Sequence, residues 1–549
     1  MKLGHASITA IAAISGPLAA APAAKFDYVS YRALDTVPVT PSSSYRNPVL
    51  PGFQPDPSIV KVGSDFYLVT STFSWFPGLP VYHSTDLVNW RLVGNAISRS
   101  GQVNFTGLGT NRGLFAPTID HDGRRFWIAN TCIECGGNYV VTADRPEGPW
   151  SDPVWLDFGG IDPSLVFGEG GRAWIVYNDA PPGTPLYDGH RAIWLQEFDP
   201  VAMRMKPNRK LLVDGGLDLK DKPVWAEGPH IYKVGGWYYL TAAEGGTADR
   251  HTQTIYRSRN VDGPYEAGPV NPILTQRDLA ANRPDRVEAT GHADMVQLDD
   301  GSWWGVFLAT RPFAGQSTLL GRETFLLPVR WVDGWPRFLD PGEALPPAVR
   351  RPALPASPAT DWRQWRDDFT APLSGEWIGL RTPGARQQVT LDRDAGTLTL
   401  VPGSDLAGGL GKPAFVGRRL RHPDAEYTTQ VAFTAEREGD FAGLLAFMDE
   451  NHFVTLGIER DFVVLRRRIA KEEAESGREI ARIPRPAAGP VELRLRLEKG
   501  AATTYAREPG GTWQVVGATD VEPLASVHAG LFTGLVVGPY AVSGPVRGS

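Results

Sequence analysis

The sequence predicts an all-β protein in which a five-bladed β-propeller is followed by a β-sandwich. A chain of 549 residues is too long for one ordinary core, which favours two large domains. Its 60 glycines, 47 prolines and 10% aromatic content are typical of turn-rich β proteins. Two further observations support the prediction: a repeat in the first part of the chain, and a change of pattern after residue 345.

The repeat consists of five segments with one plan. Each has a small or polar opening, a short apolar strand, a Gly/Asp turn and an aromatic-rich second strand, so each is predicted to be a hairpin. The segments are DPSIVKVGSDFYLVTST from Asp56, APTIDHDGRRFWIANT from Ala116, DPSLVFGEGGRAWIVYN from Asp162, EGPHIYKVGGWYYLTAA from Glu227 and GHADMVQLDDGSWWGVFL from Gly291. Successive openings lie 60, 46, 65 and 64 residues apart, which leaves room for a four-stranded sheet each. Five such sheets around one axis make a propeller.

The rest of the chain divides around this repeat. The Pro/Ala-rich stretch LPPAVRRPALPASPATDW indicates a semi-rigid linker. Beyond it, stretches such as QQVTLDRDAGTLTLVPG alternate with the period of two expected of half-buried strands. The predicted plan is a signal segment at 1–24, an N-terminal extension at 25–44, the propeller at 45–344, the linker at 345–362 and the sandwich at 363–549.

The N-terminus predicts export. Lys2 precedes a small-residue apolar stretch and Ala-rich sites, the layout of a secretory signal, so we expect a secreted or periplasmic protein. No later run approaches the ~20 apolar residues of a membrane span, and no membrane association is expected. The two cysteines, Cys132 and Cys135, lack further ligands for zinc, which leaves a small local disulfide or two free thiols.

The charge pattern excludes one class of partner. The net charge is -6, and no Lys/Arg-rich stretch occurs in the propeller region, which argues against nucleic acid. The 17 tryptophans suit a protein that stacks on sugar rings, although core packing would also use them. A neutral carbohydrate therefore fits better as a ligand.

The openings of the repeats carry the candidate chemistry. The innermost strands of a propeller begin at one end of its axis, so Asp56, Asp162, Glu227 and His292 are predicted to share a pocket. The prolines after both aspartates predict a stiff, extended entry into the strand. The alternative is that Asp before Pro only forms turns.

Three carboxylates in one pocket suit glycoside cleavage. Repulsion among them raises one pKa and leaves another group ionised, which supplies an acid and a base at the same pH. The chain has no GxxxxGK[ST] loop and no GxSxG motif, so phosphoryl transfer and serine-hydrolase chemistry are disfavoured.

An ordered set of motifs resembles glycoside hydrolase family 43, in its β-xylosidase and α-L-arabinofuranosidase branch. The motifs are YRNPVLPGFQPDPSIV, STFSWFPGLPVYHSTDLVNW, GIDPSLVF, AEGPH, AAEGGT, TGHADMV and GRETFLLPVRW. They span roughly residues 45 to 340. The resemblance implies a five-bladed propeller with a concanavalin-like C-terminal sandwich, and hydrolysis with inversion.

The resemblance also implies roles for the site residues. Asp56 resembles the general base, Glu227 the general acid, and Asp162 the residue that tunes and orients the acid. Arg322, in GRETF, resembles the arginine that binds sugar hydroxyls, although it could instead pair with Glu323 or another carboxylate.

Other carried-over positions are less specific. His292 matches a histidine near the axis that in some relatives contacts calcium or its water shell, and a satisfied core histidine is the alternative. Phe73, Trp75 and Phe115 match pocket-lining aromatics, with core packing as the alternative for each. Phe532, in GLFTGLVVGPY, matches a pocket aromatic from the sandwich, with an ordinary sandwich strand as its alternative.

The resulting hypothesis is a secreted, inverting exo-β-D-xylosidase acting on xylo-oligosaccharides or arabinose-decorated polysaccharide. It requires no cofactor, and a structural calcium on the axis is an option. The alternatives are an α-L-arabinofuranosidase or bifunctional enzyme and, from another class, a non-catalytic carbohydrate-binding propeller.

Overall fold

The computed structural model describes residues 23–381 and 388–544 and confirms the all-β prediction. Five antiparallel sheets form the blades of a propeller, and two larger sheets pack face to face as a sandwich. Three short 3-10 turns, at Glu169–Gly171, Leu219–Asp221 and Glu522–Leu524, interrupt the strands. Most of the predicted signal segment, 1–22, lies outside the described residues.

The propeller strands follow the chain in order. The first described strands are β1 (Ala24–Ala33) and β2 (Ser44–Tyr45), which precede the propeller. Blade 1 contains β3 (Ser58–Val62), β4 (Asp65–Val69), β6 (Gly78–Ser84) and β7 (Arg91–Ile97). The short β5 (Trp75–Phe76) lies between β4 and β6 in the chain. Blade 2 contains β8 (Gly113–Leu114), β9 (Thr118–His121), β10 (Phe126–Ile133), β11 (Gly137–Ala143) and β12 (Val154–Trp155). Blade 3 contains β13 (Ile161–Phe167), β14 (Ala173–Asp179), β15 (Ala192–Asp199) and β16 (Arg204–Asp214).

The last two blades have the same plan. Blade 4 contains β17 (Glu227–Val234), β18 (Trp237–Glu244), β19 (Thr252–Ser258), β20 (Glu266–Ala267) and β21 (Leu274–Thr275). Blade 5 contains β22 (Glu288–Gln297), β23 (Trp303–Thr310), β24 (Glu323–Val332) and β25 (Trp335–Arg337). Each of the five repeat segments forms a hairpin of the two inner strands of a blade.

A ring of polar side chains joins the inner strands around the axis. Its members lie two residues after Asp56, Ala116, Asp162, Gly228 and His292, and we call them the polar ring: Ser58, Thr118, Ser164, His230 and Asp294. Ser58 Oγ donates to Asp294 Oδ2 (2.8 Å) and accepts from the backbone N–H of Ile119 (3.1 Å), which joins blade 1 to blades 5 and 2. Thr118 Oγ1 donates to the carbonyl of Pro163 (2.8 Å). Ser164 Oγ lies 3.3 Å from His230 Nδ1, which lies 3.5 Å from Asp294 Oδ1. Every blade junction is therefore bridged at the same depth.

The sandwich holds the remaining strands. After β26 (Val349–Arg350), which pairs with β2, they are β27 (Gln364–Asp367), β28 (Gly379–Leu380), β29 (Val389–Asp392), β30 (Thr397–Leu400), β31 (Ala414–Phe415), β32 (Arg418–Arg419), β33 (Ala425–Ala432), β34 (Phe441–Asp449), β35 (His452–Glu459), β36 (Phe462–Arg468), β37 (Arg478–Pro484), β38 (Val491–Glu498), β39 (Ala501–Arg507), β40 (Gln514–Asp520) and β41 (Val536–Val542). One sheet has the order β29-β30-β1-β33-β38-β39-β40, with β27 also on β1. The other has the order β31-β41-β34-β35-β36-β37, with β32 also on β41.

The N-terminal segment corrects the predicted domain plan. Residues 25–44 were expected to be a separate extension, but β1 lies inside the first sandwich sheet, between β30 and β33. Its buried residues Phe26, Val29 and Tyr31 belong to the sandwich core. The chain thus passes from the sandwich into the propeller and back into the sandwich, so β1 pairs with strands about 400 residues away.

Strand pairing and a buried ion pair hold the sandwich against the propeller. The short strands β5 and β28 pair across the interface, and the backbone N–H of Arg381 donates to the carbonyl of Ser74 (2.7 Å). The fully buried Arg381 side chain donates to the carbonyl of Leu108 (2.8 Å) and pairs with Glu450 (2.6 Å). The predicted linker lies along blade 1, where Thr360 Oγ1 donates to the carbonyl of Trp90 (2.8 Å). The sandwich is therefore held at a fixed place beside the start of the inner strands.

Cys132 and Cys135 form a disulfide, which decides between the two states that the sequence left open. The bond closes the turn between β10 and β11, at the same end of the propeller as the openings of the inner strands. Among the described residues, no helix is long and apolar enough to cross a membrane.

The position of β1 yields a stability prediction. Phe26→Ala leaves a cavity between the sandwich sheets and is expected to destabilise the sandwich by about 3–5 kcal/mol. Lys25→Ala, on the exposed side of the same strand, is the matched control and is expected to change stability little. Chemical denaturation followed by circular dichroism measures both. Equal midpoints for the two variants would show that β1 does not support the sandwich core.

Candidate active site

A cavity of about 250 Å³ lies where the inner strands begin. Its lining contains eight of the nine predicted site residues: Asp56, Asp162, Glu227, His292, Arg322, Phe73, Phe115 and Phe532. The ninth, Trp75, does not line it. The repeat openings therefore do converge on one pocket, and the sandwich contributes one aromatic ring to it.

The backbone turns the openings toward this pocket. Asp56, Asp162 and His292 have φ angles of 53°, 55° and 53°, which few residues other than glycine adopt. Beside Asp162 and His292 the strand register shifts, so that one extra residue bulges from the inner strand. The prolines thus do not produce the extended entry predicted for the two aspartates. They follow a left-handed residue that aims its side chain along the axis.

Blade 4 uses the same bulge differently. Here Gly228, with a φ of 55°, occupies the position of the two aspartates, and Glu227 precedes it by one residue. A Cβ on Gly228 would lie 2.8 Å from the ring of His292, so only glycine fits. Because Gly228 has no side chain, the His292 ring fits beside it. The carboxyl group of this blade is therefore carried by Glu227, one residue before the bulge position.

Asp56 is held by a cation. Arg322 donates from Nη1 to Asp56 Oδ1 (2.9 Å), and Ser71 Oγ donates to Asp56 Oδ2 (2.5 Å). Arg322 Nη1 also donates to Thr247 Oγ1 (3.0 Å), while its Nε has no partner among the described residues. Glu323 pairs instead with Arg311 (2.7 Å). Of the two roles considered for Arg322, its position permits both, because it pairs with Asp56 and faces the cavity.

Asp162 has neutral donors instead. Asn178 Nδ2 donates to Asp162 Oδ2 (3.0 Å), and the backbone N–H of Gly228 donates to the same oxygen (3.1 Å). Burial, and next the charge of Asp56, raise the pKa of Asp162 to about 7.

Glu227 is the third carboxyl group of the pocket, and its pKa is also raised. Within the described residues its side chain accepts no hydrogen bond and forms no ion pair. Burial raises its pKa well above the usual value, and the charges of Asp162 and Asp56 raise it further. The same pocket thus holds one aspartate paired with an arginine and one glutamate whose pKa is raised, the division that acid–base chemistry needs.

His292 forms part of the pocket wall. Its Nδ1 lies 3.9 Å from Asp56 Oδ1, and burial lowers its pKa to about 4, which keeps the ring neutral. The described residues contain no group of three or more His, Cys, Asp or Glu side chains arranged to hold a metal. The calcium ion that the sequence left as an option beside His292 stays a prediction.

Three phenylalanines form an aromatic wall. The ring centroids of Phe73, Phe115 and Phe532 lie 5.3 to 5.6 Å apart, and all three rings line the cavity. The Arg322 guanidinium lies 5.3 Å from the Phe532 centroid. Phe532 follows the last 3-10 turn of the sandwich and precedes β41, so a sandwich loop closes one side of the pocket.

Trp75 corrects the aromatic prediction. Its side chain is fully buried and packs between propeller and sandwich, with Phe415 and Phe447 centroids at 6.1 and 5.9 Å. It cannot stack on a ligand because its side chain is fully buried and does not reach the cavity. The core-packing alternative holds for this residue.

Five lining residues were not predicted from the sequence, and Trp225 and Thr247 have the largest side chains with polar atoms among them; the other three are Ala116, Ile161 and Gly246. Trp225 stands two residues before Glu227 and has a φ of 55°, a strained conformation for an aromatic residue. Thr247 ends the motif AAEGGT, whose role was not assigned. The sequence offered one signal for both residues, which is that each lies in or next to a motif of the repeat region.

Comparison with known families gives the same picture. A model described as Glycosyl hydrolases family 43 matches residues 45–336, and a model described as Beta xylosidase C-terminal Concanavalin A-like domain matches residues 366–548. A xylosidase/arabinosidase 43B of Humicola insolens is 38% identical over 423 residues, 75% of this chain and 76% of that protein. A non-reducing end alpha-L-arabinofuranosidase of Bacteroides ovatus is 37% identical over 516 residues, 91% of each chain.

Solved structures agree. The crystal structure of a GH43_12 protein retrieved from capybara gut metagenome has a TM-score of 0.86 at 33% identity, covering 95% of this chain and 100% of that one. The xyloglucan-locus GH43B of Bacteroides ovatus has a TM-score of 0.81 at 35% identity, covering 91% and 96%. These matches, the five blades and the three converging carboxyl groups show that the chain is a glycoside hydrolase and belongs to glycoside hydrolase family 43.

Proposed function

We propose that this hydrolase is an inverting exo-β-D-xylosidase that releases single xylose units from the non-reducing ends of xylo-oligosaccharides. The observation that carries the proposal is the pocket itself, which combines an ion-paired aspartate and a glutamate of raised pKa in a cavity that Phe532 helps to line. A cavity of about 250 Å³ is below the range of drug-sized ligand sites and suits one sugar ring.

Each carboxyl group has one role in the proposed reaction. Asp56, fixed by Arg322 and Ser71, accepts a proton from a water molecule whose oxygen attacks the anomeric carbon. Glu227 gives its proton to the glycosidic oxygen as the bond from that oxygen to the anomeric carbon breaks. Asp162 raises the pKa of Glu227 and so keeps the proton available for donation.

The combination of polar and aromatic groups in the lining fits a pentose. Arg322, Thr247 and Asp162 offer polar groups to sugar hydroxyls, and the three phenylalanines offer an apolar face to the ring. A pentose in its pyranose form lacks the exocyclic hydroxymethyl group of a hexose. It therefore needs less space beside the aromatic wall than a hexose does.

An α-L-arabinofuranosidase, or an enzyme with both activities, is the second candidate. The Bacteroides ovatus relative that matches 91% of this chain carries that name. The two sugars present similar hydroxyl groups to one pocket. A non-catalytic binding protein is disfavoured because all three carboxyl groups are retained in one pocket.

We also propose that the protein is exported. The sequence of residues 1–24 has the layout of a signal segment, and the Cys132–Cys135 disulfide suits an oxidising compartment. Expression in a bacterial host is expected to give mature protein in the periplasm or medium that starts near residue 25. N-terminal sequencing checks this, and purified protein that still begins at Met1 would contradict it.

Activity on nitrophenyl β-xyloside and nitrophenyl α-L-arabinofuranoside tests the proposed reaction. Wild type is expected to cleave the xyloside, and Asp56→Asn is expected to lower kcat by about 10²–10⁴-fold with little change in substrate binding, since only the base is lost. Asp300→Asn, at an exposed turn at the far end of blade 5, is the matched control. Proton NMR of the first-released sugar is expected to show the α-anomer of xylose. Release of the β-anomer would contradict inversion, and no cleavage of either substrate would contradict the function.

Phe532→Ala tests the contribution of the sandwich to the pocket. Loss of the ring removes an apolar contact with the sugar and is expected to raise KM roughly tenfold, with a smaller change in kcat. Phe462→Ala, a partly exposed sandwich phenylalanine away from the pocket, serves as control. Steady-state kinetics and the melting temperature are measured together. Unchanged KM with unchanged melting temperature would exclude Phe532 from substrate binding.

A further inference from the structure

The cations near the three carboxyl groups are unevenly distributed. Asp56 has Arg322 in direct contact, at 2.9 Å. Asp162 and Glu227 form no ion pair within the described ranges, although both are enclosed in the pocket wall. Two carboxyl groups without a direct counter-charge need another source of positive potential if either is to lose its proton during a reaction.

Arg191 is linked to this pair through one side chain, that of Asn178. It directly precedes β15, and its Nε and one Nη both donate to Asn178 Oδ1, at 3.2 and 3.1 Å. The other side of that amide, Nδ2, is the donor to Asp162 Oδ2. In the described part of the chain no carboxylate lies within ion-pair distance of Arg191, so its charge is not neutralised locally.

This arrangement fixes the amide of Asn178. Because two guanidinium donors face Oδ1, the amide group is oriented with Nδ2 toward Asp162. With Arg191 removed, the amide could rotate and present an oxygen to the carboxyl group of Asp162, which would exchange an attractive contact for a repulsive one.

Arg191 also contacts the other wall of the pocket. Its guanidinium lies 4.8 Å from the ring centroid of Trp225, within range of a cation–π interaction. Trp225 lines the cavity two residues before Glu227, and its backbone N–H donates to the carbonyl of Gly189 (2.9 Å), two residues before Arg191. One side chain thus connects the segment that carries the acid to the contact that holds Asp162.

We propose that Arg191 is a positioning residue for the acid: it orients Asn178 toward Asp162, holds Trp225 beside Glu227, and supplies the positive charge that lets this carboxyl pair release a proton. The inference rests on the proposed role of Glu227 as general acid. Arg191 does not line the cavity, so it acts through its neighbours and not by contact with substrate.

The charges around Glu227 give the direction of the effect. Asp162 and Asp56 raise its pKa, whereas Arg322 and Arg191 lower it. Neutral His292 packs on Gly228 from blade 5 and adds no charge. Removal of Arg191 should therefore raise the pKa of the acid. Since the acid must be protonated to act, activity is lost as pH rises through its pKa, and a higher pKa moves that loss to higher pH.

The pH dependence of kcat/KM in Arg191→Met tests the inference. The basic limb is expected to move up by about one pH unit relative to wild type. Arg191→Lys keeps the charge but not the paired hydrogen bonds to Asn178, and its limb is expected to lie between the two. Arg172→Met is the matched control, because Arg172 makes a similar contact with Trp174 (4.7 Å) at the opposite end of blade 3. Its limb is expected to coincide with that of wild type.

A purely structural role would give a different result. It would lower kcat at every pH and lower the melting temperature, with the basic limb unmoved, and that outcome would overturn the inference. If Arg191→Met does not fold, Arg191→Gln, which keeps a donor for Asn178 but loses the charge, carries the same expected shift and the same contradiction.

The test separates this inference from the proposed function. Absence of wild-type activity on the aryl glycosides would contradict the function. Infrared titration of the carboxyl groups in wild type and Arg191→Gln needs no turnover. It is expected to show a carboxyl group that keeps its proton to higher pH in the variant, and identical titrations would overturn the inference.

Discussion

The pocket depends on the closure of the polar ring, which fixes where each inner strand begins. The ring bridges all five blade junctions with hydrogen bonds or close polar contacts, from Ser58–Asp294 to Ser164–His230. Directly above it, the left-handed residues Asp56 and Asp162 turn their carboxyl groups toward the axis. The polar ring and the left-handed backbone at Asp56 and Asp162 together hold acidic side chains close to one another. An unconstrained chain would keep such side chains apart.

The three carboxyl groups have different partners, and this difference separates the roles of acid and base. Asp56 is paired directly with Arg322, whereas Glu227 accepts no hydrogen bond from the described residues, and burial and two acidic neighbours raise its pKa. The same residue types in one pocket therefore acquire different proton affinities from their contacts. The sandwich adds Phe532 to the wall, and the paired strands β5 and β28 hold it there, so the two domains form a single site.

The sequence predicted the repeated elements well and the irregular ones poorly. Five aligned openings gave the propeller, because turn chemistry and strand period are local properties. The one-residue offset of Glu227 was not predictable, since it follows from the need to fit the His292 ring against Gly228. Trp75 and β1 were misassigned for a related reason: each is decided by partners from the other domain, hundreds of residues away. Arg191 had no motif, and its role follows only from its contacts with Asn178 and Trp225 in the folded chain.

Neutron diffraction of the deuterium-exchanged protein at neutral pH tests the central claim most directly, because it locates the protons on the carboxyl groups. The account predicts a deuteron on the Glu227 carboxyl group and none on Asp56, whose oxygens accept from Arg322 and Ser71. A deuterated Asp56 beside an ionised Glu227 would contradict the assignment of acid and base.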